Sequence, residues 1–365
     1  MKRVLTIVAL LVVLPVFAQQ PAKEAPKAPE MKYVAAEDLM IINKGFENTE
    51  LTFSRLPVDK KGEIRKEVWD LGLNSAGVAV RFNTNSKKIG IRWTLLNNFN
   101  MPHMAGTGIR GIDLYYLDEH GEWHFTGTAQ PKVDKESERI VVSNMDGNYR
   151  EYMAYLPLYD GVTSVAIGVT EDAELTAPKT RELTKGACKP VVFYGTSITQ
   201  GGCASRPGMV YTSIISRELH KECVNLGFSG NARMDFALAE CLARIDADSY
   251  VIACLENCTK KTLQDSAYNW LVYLAKERPE APIYMVENIM YTYTLLDIDA
   301  RNVTAEKNAY WRKIYERLVS EGYKNFVYID TIGLTGPDYE GSVDGAHQTD
   351  LGFLRMSEKL LQYIK

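Results

Sequence analysis

The chain has 365 residues and a net charge of −4 at pH 7, and 46% of its residues are hydrophobic. This composition is ordinary for a soluble protein, and the small negative charge gives no electrostatic case for binding nucleic acid. After the first residues, no stretch is long and apolar enough to span a bilayer.

The first residues predict a targeting segment. Lys2 and Arg3 form a basic start, residues 4–17 are almost wholly apolar, and Ala18 fits a small-residue cleavage site. The apolar stretch is short for a membrane span, and no cysteine follows the cleavage point to carry a lipid. We therefore expect a signal peptide over residues 1–18, cleaved after Ala18, and a periplasmic or secreted mature chain. An uncleaved N-terminal anchor is the alternative.

The following residues indicate the domain organisation. Residues 19–32 are rich in Pro, Ala, Lys and Glu, a composition that cannot bury a core and predicts a flexible leader. The rest of the chain exceeds the usual size of one domain. We expect an N-terminal domain over residues 33–175, a polar linker over residues 176–188 and a second domain over residues 189–365.

The first of these domains shows the signals of β structure. Short β-branched or alternating runs are separated by polar turns, and a Gly-containing turn at residues 118–121 predicts a hairpin. Many short strands of this kind favour a β-sandwich of jelly-roll type. The runs lie at residues 78–82, 89–93, 112–116, 123–127, 149–156 and 162–168.

The second domain alternates buried strands with amphipathic helices. This order predicts parallel βαβ crossovers and a flavodoxin-like, doubly wound, five-stranded sheet with helices on both faces. The fold class is therefore α/β, and functional groups are expected at the carboxyl ends of the strands. The predicted strands cover residues 191–194, 224–226, 250–254, 283–286 and 326–329, and the predicted helices cover residues 210–220, 235–245, 262–278, 306–322 and 351–364.

Two separated motifs carry the chemistry. Gly195-Thr196-Ser197 follows the first strand of the second domain, where a tight turn delivers the Ser197 hydroxyl to the edge of the sheet. Near the end of the chain, Asp344 and His347 are close enough in sequence to lie on one loop. A hydroxyl, an imidazole and a carboxylate are what hydrolysis through an acyl-enzyme requires. The alternative for Ser197 is a helix-capping role in a Gly-rich turn.

Two further blocks are candidates for binding an oxyanion. Gly230 lies in the Gly-rich turn after the second strand, where a backbone N–H can approach a developing negative charge. Asn257 follows the third strand and offers a side-chain amide donor. Taken alone, each of these residues is also explained as a turn or cap residue.

The four blocks, in this order at successive strand ends, resemble the SGNH (GDSL-type) hydrolase superfamily, and the resemblance covers residues 188–365. It implies that Ser197 is the nucleophile and that His347 is the general base, oriented by Asp344. It also implies an oxyanion hole made of the Ser197 and Gly230 N–H groups and the Asn257 amide.

Departures from the family pattern leave these reacting groups in place. Thr196 stands where a Gly-Asp-Ser block has aspartate, and the third block reads Leu-Glu-Asn-Cys rather than Gly-x-Asn-Asp. In the first domain, residues 111–115 read Gly-Ile-Asp-Leu-Tyr. They are similar to the Gly-x-Asp-Leu-Tyr motif of a β-domain that accompanies one largely bacterial SGNH subfamily. The order of the two domains also resembles that of bimodular bacterial carbohydrate acetylesterases.

Three other residues are candidates for binding substrate. His103 lies in a loop that can reach over the active site, Arg206 follows the nucleophile, and Tyr291 lies in a long loop predicted over residues 288–302. Each also has a structural explanation. His103 can be an exposed or structural histidine, Arg206 can pair with a carboxylate of the other domain, and Tyr291 can belong to aromatic packing between the domains.

All six cysteines lie in the C-terminal half, without a Cys-x-x-Cys pair, so we expect no metal site. Cys188 and Cys223 precede the first two strands of the second domain. If those strands are neighbours in the sheet, the two cysteines can meet within disulfide reach, a pairing that we state as a hypothesis.

The sequence therefore predicts a secreted serine esterase that acts on short-acyl esters, above all O-acetyl groups on carbohydrate, without a cofactor. The expected substrate is a small-molecule or polysaccharide ester, and neither nucleic-acid binding nor stable membrane insertion is expected. The alternatives are an esterase or lipase acting on lipid or thioester substrates, and a catalytically silent carbohydrate-binding protein. The choice between ester and amide substrates and the oligomeric state stay open.

Overall fold

A computed structural model of the chain describes residues 30–181 and 189–365. The predicted signal peptide, residues 19–29 of the predicted leader and residues 182–188 of the predicted linker lie outside this part. Residues 31–365 form one compact unit with two regions that differ in sheet type. The division into two independent domains stays a prediction. No helix in the described part is both long and apolar enough to cross a membrane.

The N-terminal region is built from antiparallel strands joined by turns and short helices. Its strands are β1 (Met31–Ala35), β2 (Met40–Ile42), β3 (Ala79–Thr84), β4 (Lys88–Leu95), β5 (Ile112–Leu117), β6 (Trp123–Ala129), β7 (Glu136–Ser143), β8 (Arg150–Tyr155), β9 (Val162–Thr170) and β10 (Leu175–Thr176). Its α-helices are α1 (Lys66–Gly72) and α2 (Gly106–Arg110).

These strands pair into two packed sheets. Within residues 30–181, one sheet has the order β1-β9-β4-β7, and the other has the order β10-β3-β8-β5-β6 with β2 beside β3. Alternate residues, such as Val80 and Phe82 of β3 and Ile91 and Trp93 of β4, are buried in one shared apolar core, as expected for two sheets packed face to face. The predicted β-rich region is therefore confirmed, whereas the jelly-roll connectivity stays a prediction.

The predicted runs coincide with strands β3, β4, β5, β6, β8 and β9, but the pattern misses β1, β2, β7 and β10. The charged residues of β7 give the reason for one of these omissions. Glu136, Glu138 and Arg139 interrupt its apolar alternation, and β7 lies at the edge of its sheet. Charged side chains at such an edge discourage pairing with further strands.

The C-terminal region alternates strands and helices. Its strands are β11 (Val191–Gly195), β12 (Cys223–Gly227), β13 (Ser249–Ala253), β14 (Ile283–Val286) and β15 (Phe326–Ile329). Its α-helices are α3 (Ser197–Gln200), α4 (Tyr211–Leu219), α5 (Phe236–Arg244), α6 (Lys260–Thr262), α7 (Tyr268–Glu277), α8 (Ile298–Ser320) and α9 (Asp350–Leu360), and a π-helical turn at Leu263–Ala267 joins α6 to α7.

The strands of this region pair in parallel, in the order β12-β11-β13-β14-β15 within the described residues. Every residue of β11, β12 and β13 is buried, because apolar clusters cover both faces of the sheet. This double burial is why parallel strands appear as near-continuous apolar runs in a sequence. The predicted flavodoxin-like α/β fold is therefore confirmed.

Helix α8 corrects one sequence prediction. It begins at Ile298 rather than at residue 306, so the loop predicted over residues 288–302 is shorter. The carboxylate of Asp297 accepts a hydrogen bond from the N–H of Ala300 at 2.9 Å and caps the helix there. The first turns carry exposed residues such as Ile298 and Val303, so no apolar face marks them in the sequence.

A buried carboxylate joins the two regions. Asp113 of β5 accepts hydrogen bonds from Nη1 of Arg206 at 2.9 Å, the N–H of Gly208 at 2.9 Å and the hydroxyl of Thr128 at 2.7 Å. The guanidinium of Arg206 also lies 3.7 Å from the ring centroid of Phe125. The aspartate of the Gly-x-Asp-Leu-Tyr motif therefore ties the N-terminal region to the loop that follows α3.

Replacing Asp113 with asparagine should destabilise the protein, because the guanidinium of Arg206 loses its buried counter-charge. Breaking a buried ion pair from one side costs about 3–5 kcal/mol of unfolding free energy, which urea denaturation measures. The matched control is Asp70→Asn, because Asp70 pairs with Lys66 on the surface and its loss should change little. Equal stability of Asp113→Asn and the unmodified protein would contradict the anchoring role.

Candidate active site

The predicted site residues follow strands that end at one edge of the parallel sheet. Strand β11 lies between β12 and β13, and Gly195 at its end stands in register with Gly227 and Ala253. Because the three strands are parallel, the loops that follow them leave from the same edge. The first three sequence blocks therefore begin side by side.

The candidate nucleophile is the first residue of α3. Thr196 is extended, and its hydroxyl accepts a hydrogen bond from the N–H of Ile198 at 3.3 Å, which caps the helix. Ser197 is 8% exposed, so its hydroxyl is recessed below the surface. The strand ends approach closely, since a Cβ on Gly195 would lie 2.6 Å from the carbonyl oxygen of Ala253. Glycine is the residue that permits this approach.

Ser197, His347 and Asp344 form a continuous hydrogen-bonded chain. Oδ2 of Asp344 lies 2.7 Å from Nδ1 of His347, and Nε2 of His347 lies 2.9 Å from Oγ of Ser197. A carboxylate can only accept, so Nδ1 carries the imidazole proton and Nε2 accepts from the hydroxyl. In this arrangement an imidazole can take the proton of an attacking hydroxyl. The structure thus brings together the three residues that the sequence singled out.

Hydrogen bonds hold the Asp344 carboxylate in its ionised form. Its Oδ1 accepts from the N–H of His347 at 2.8 Å and from the N–H of Ala346 at 3.0 Å. Partial burial acts to raise the pKa of Asp344, but these bonds and the His347 ring outweigh it and lower the pKa to about 2. Asp344 is therefore negatively charged at every pH at which a histidine acts as a base.

Further contacts fix the loop of residues 343–347. The N–H of Val343 donates to the carbonyl of His347 at 2.8 Å, and the N–H of Thr292 donates to the carbonyl of Gly345 at 2.8 Å. Gly345 has a φ of +89°, a left-handed conformation that favours glycine. Since Thr292 precedes α8, the chain between β14 and α8 supports the loop that carries the carboxylate and the imidazole.

The two candidate oxyanion residues lie on the loops after β12 and β13. Gly230 is exposed and has a φ of +70°. Oδ1 of Asn257 accepts a hydrogen bond from the N–H of Ala232 at 3.2 Å, which leaves the side-chain NH2 as the group that can donate elsewhere. This bond ties the third block to the second, close to Gly230. The assignment of Gly230 and Asn257 as oxyanion donors stays a prediction.

Sequence reasoning overlooked Gln200, which supports the turn that carries Ser197. Nε2 of Gln200 donates to the carbonyl of Leu158 at 3.1 Å, and its Oε1 accepts from the N–H of Ser229 at 3.0 Å. The side chain therefore links α3 both to the Gly-rich second block and to the N-terminal region. Its position within the Gly-Thr-Ser-Ile-Thr-Gln block was the signal that could have identified it.

Arg55 was also overlooked, and no motif marks it. Its buried guanidinium donates to the carbonyls of Asn225 at 3.0 Å and Gly227 at 2.8 Å, at the end of β12. It also donates to the carbonyls of Asn74 and Leu71 in its own region. Burial lowers the pKa of Arg55 to about 9, so it stays protonated at neutral pH. Arg55 thus holds the strand end from which the second block departs.

Two of the three predicted substrate-binding residues, His103 and Arg206, lie beside identified side chains. The ring centroid of His103 lies 5.8 Å from that of His347, and the side chain is exposed. Arg206 is held by Asp113 and by the hydroxyl of Tyr115 at 2.6 Å, the pairing with the other region that the sequence offered as an alternative. Roles of His103 and Arg206 in substrate binding stay predictions.

The third, Tyr291, is partly buried in an aromatic pair. Its ring stacks on that of Tyr293 with 5.2 Å between the centroids and 11° between the planes. Tyr293 is 45% exposed, and its Cδ1 lies 3.1 Å from the place of a Cβ on Gly345. The pair therefore borders the loop of residues 343–347, and a role of Tyr291 in substrate binding stays a prediction.

The cysteines that the structure describes are buried free thiols: Cys203, Cys223, Cys241, Cys254 and Cys258. Cys188 lies outside the described residues, so its pairing with Cys223 stays a hypothesis. Cys203 lies beside the active site. Within residues 30–181 and 189–365, it forms with His103 and His347 a group whose ligand atoms lie within 4.8 Å of one another.

Family comparisons agree with this geometry. Residues 188–365 match the model of the GDSL-like lipase/acylhydrolase family, and residues 31–175 match that of the GxDLY N-terminus of SGNH-type esterases. A protein of Bacteroides ovatus ATCC 8483 described as a GDSL-like lipase is 34% identical, with a TM-score of 0.86 over 91% of this chain and 96% of that chain. The chain belongs to the GDSL-like lipase/acylhydrolase family. This SGNH hydrolase is therefore a serine hydrolase of ester bonds, and the resemblance read from its motifs is confirmed.

Two more distant structures share the fold of this SGNH hydrolase. Salicylyl-acyltransferase SsfX3 from a tetracycline biosynthetic pathway is 15% identical, with a TM-score of 0.73 over 91% of this chain and 96% of that chain. The acetyl xylan esterase Est2A from the rumen bacterium Butyrivibrio proteoclasticus is 11% identical, with a TM-score of 0.55 over 91% and 98%. No curated protein matches the chain significantly.

Replacing Gly227 with alanine should displace Ser197, the candidate nucleophile of this SGNH hydrolase. A Cβ there would collide with backbone atoms of Gln200 and Thr199 in α3. A misplacement of about 1 Å costs about 100-fold in rate, which the kcat/KM for p-nitrophenyl acetate measures. The matched control is Gly106→Ala, where the new Cβ would meet Nη2 of Arg110 at 3.6 Å and fit. An unchanged kcat/KM in Gly227→Ala would contradict the close packing of α3.

Proposed function

We propose that this SGNH hydrolase is a short-acyl serine esterase whose substrates are O-acetylated carbohydrates. The observation that carries the proposal is the hydrogen-bonded chain of Asp344, His347 and Ser197 at the edge of the sheet. Such a chain turns a weakly nucleophilic hydroxyl into an attacking group, with no cofactor in any step.

The first half of the proposed reaction forms an acyl-enzyme. Oγ of Ser197 attacks the ester carbonyl carbon while Nε2 of His347 accepts the hydroxyl proton. Asp344 keeps Nε2 directed at the hydroxyl, and its charge stabilises the imidazolium that forms. When the tetrahedral intermediate collapses, the bond to the alcohol breaks and His347 returns the proton to the leaving oxygen.

The negative charge on the carbonyl oxygen requires hydrogen-bond donors. We assign this role to the N–H groups of Ser197 and Gly230 and to the NH2 of Asn257. The bond from Ala232 to Oδ1 of Asn257 supports the assignment, because it leaves the NH2 group available. Loss of one such donor typically costs about 3–4 kcal/mol of transition-state stabilisation.

The second half of the reaction releases the acid. Water replaces the alcohol, and His347 takes a proton from it as the water oxygen attacks the acyl carbonyl. The bond to Oγ of Ser197 then breaks, and the proton returns from His347 to that oxygen. In both halves of the reaction, Nε2 of His347 thus transfers the proton while Nδ1 keeps its hydrogen bond to Asp344.

Two considerations support a small acyl group on a sugar. The hydroxyl of Ser197 is recessed, with 8% of the residue exposed, so the ester carbonyl must reach below the surface to meet it. The acetyl xylan esterase of Butyrivibrio proteoclasticus shares the fold over 91% of this chain and 98% of its own. At that identity the likeness concerns the fold, so the sugar substrate is an analogy of architecture.

A longer, apolar acyl group is the second candidate. Leu296 is 91% exposed and Ile298 is 58% exposed. Both follow Tyr293, which borders the loop of residues 343–347. Exposed apolar side chains this close in sequence to a segment that contacts the loop offer a surface that suits an acyl chain.

We also propose that residues 1–18 direct export and are then removed, which places the enzyme in the periplasm or outside the cell. The basic start and the apolar stretch of residues 4–17 support this proposal. Sequencing of the exported protein should give Gln19 as its first residue. Intact chain recovered only from the cytoplasm would contradict export.

The protein should hydrolyse p-nitrophenyl acetate faster than the butyrate and far faster than the octanoate. Ser197→Ala should reduce the rate to background, and Asp344→Asn should lower kcat by about 10³- to 10⁴-fold because the wrong tautomer of His347 becomes accessible. Ser320→Ala, on the surface far along α8, is the matched control and should keep the full rate.

The acyl-length series also separates the two candidate substrates. A preference for octanoate would favour the apolar acyl group, and release of acetate from acetylated xylan would favour the carbohydrate. Full turnover by Ser197→Ala would contradict the proposed mechanism altogether.

A further inference from the structure

Three side chains with nitrogen and sulfur donors meet at the active site. One ligand atom each of His103, Cys203 and His347 lies within 4.8 Å of the other two. They come from separate parts of the chain: the segment between β4 and α2, the turn after α3, and the loop before α9. Two imidazoles and a thiolate form a donor set that suits Zn²⁺.

The hydrogen bond to Asp344 that suits His347 for proton transfer also suits it as a metal ligand. Its Nδ1 donates to Asp344 at 2.7 Å, so the lone pair of the ring lies on Nε2. A carboxylate behind a histidine fixes the tautomer of the ring and strengthens it as a metal ligand. The competing group is the hydroxyl of Ser197, 2.9 Å from Nε2.

The turn after α3 holds Cys203 against the imidazole. Gly202 donates its N–H to the carbonyl of Ser197 at 2.7 Å, and a Cβ on Gly202 would lie 3.2 Å from Cδ2 of His347. Binding of a metal by the Cys203 thiol would release its proton to solvent.

The segment that carries His103 is anchored in the N-terminal region. The carboxylate of Asp160 accepts hydrogen bonds from the N–H groups of Asn97 at 2.9 Å and Phe99 at 2.8 Å. Met104 is buried in the apolar cluster that also contains the turn after α3. The backbone around His103 is thus fixed close to the site, while its side chain is exposed.

We propose that His103, Cys203 and His347 bind one Zn²⁺ ion and that the bound ion reversibly switches off the esterase. The ion occupies Nε2 of His347, which then no longer accepts the proton of Ser197. A fourth position is left for water, as in zinc sites with three protein ligands. The inhibition rests on the proposed function of His347, whereas the binding site does not.

The donor set also predicts which ions the site rejects. Mg²⁺ and Ca²⁺ prefer oxygen ligands, and the cluster offers nitrogen and sulfur. Neither ion should displace Zn²⁺ from the protein or change its esterase rate at millimolar concentration.

The test measures the binding of Zn²⁺ alone to the purified protein, by competition with a chromophoric chelator. We expect one ion per chain, and an affinity that falls by about tenfold or more in Cys203→Ser and in His103→Asn. Ser197→Ala should bind at least as tightly as the unmodified protein, because its hydroxyl no longer competes for Nε2. The matched control is His120→Asn, an exposed histidine in the β5–β6 turn, and it should bind as the unmodified protein does.

Unchanged affinity in both Cys203→Ser and His103→Asn, or no binding by the unmodified protein, would overturn the site. Cys203→Ala serves as a second variant if Cys203→Ser does not fold, and a melting temperature close to that of the unmodified protein shows that either variant is intact. In these variants, loss of zinc affinity with a preserved melting temperature supports the site.

The activity measurement then tests the inhibition. Zn²⁺ at its measured dissociation constant should halve the rate on p-nitrophenyl acetate, and a chelator should restore it. The rate of Cys203→Ser, whatever its value without Zn²⁺, should not fall when the same concentration of Zn²⁺ is added. Full activity with zinc bound would overturn the inhibition. Zinc binding by a protein that hydrolyses no ester would support the zinc site and contradict the proposed function. Ester hydrolysis by a protein that binds no zinc would support the proposed function and overturn the zinc site.

Discussion

The hydrogen bond between the carboxylate of Asp344 and Nδ1 of His347 decides what this site can do. It places the imidazole proton on Nδ1 and leaves a lone pair on Nε2, directed at Ser197. The charge of Asp344 depends in turn on backbone N–H groups of its own loop, which turns at Gly345. The same lone pair that accepts a proton is the one that would attract Zn²⁺, so the proposed catalysis and the proposed inhibition share one atom.

The N-terminal region supports this atom from several sides. Asp113 holds the loop after α3, Asp160 anchors the segment of His103, and Arg55 fixes the end of β12. These are buried or partly buried polar contacts, which are costly to break once one partner is removed. Because the N-terminal region makes these contacts, it has a structural role at the site that does not depend on contact with substrate.

Much of the C-terminal fold could be predicted because double burial imposes a strong pattern. Strands such as β11 and β13 are buried throughout and mostly apolar, and the helices between them are amphipathic, so their order follows from the sequence. Strand β7 could not be predicted, because this exposed edge strand carries charged residues where a half-buried strand alternates apolar and polar residues. The early start of α8 was missed because its signal is one capping carboxylate, Asp297, rather than an apolar face.

At the site, local motifs were easier to recognise than long-range neighbours. Ser197 and the pair Asp344 and His347 stand in short blocks whose chemistry is evident from residue type, and the structure brings them within hydrogen-bond distance. The approach of His103 to His347 joins positions roughly 240 residues apart, and no periodicity in the sequence carries that information. Arg55 bonds to carbonyl groups, which every residue has, so it leaves no complementary charge for a sequence pattern to reveal.

Covalent labelling measures whether Ser197 is an activated nucleophile. The protein is incubated with a fluorophosphonate, a reagent that reacts with an activated serine, and intact mass spectrometry and peptide mapping follow the product. We predict one adduct per chain, located on Ser197, with labelling abolished in Ser197→Ala and strongly slowed in His347→Ala. An adduct on a different serine, or full esterase activity in a protein that the reagent has labelled at Ser197, would contradict the proposed role of Ser197.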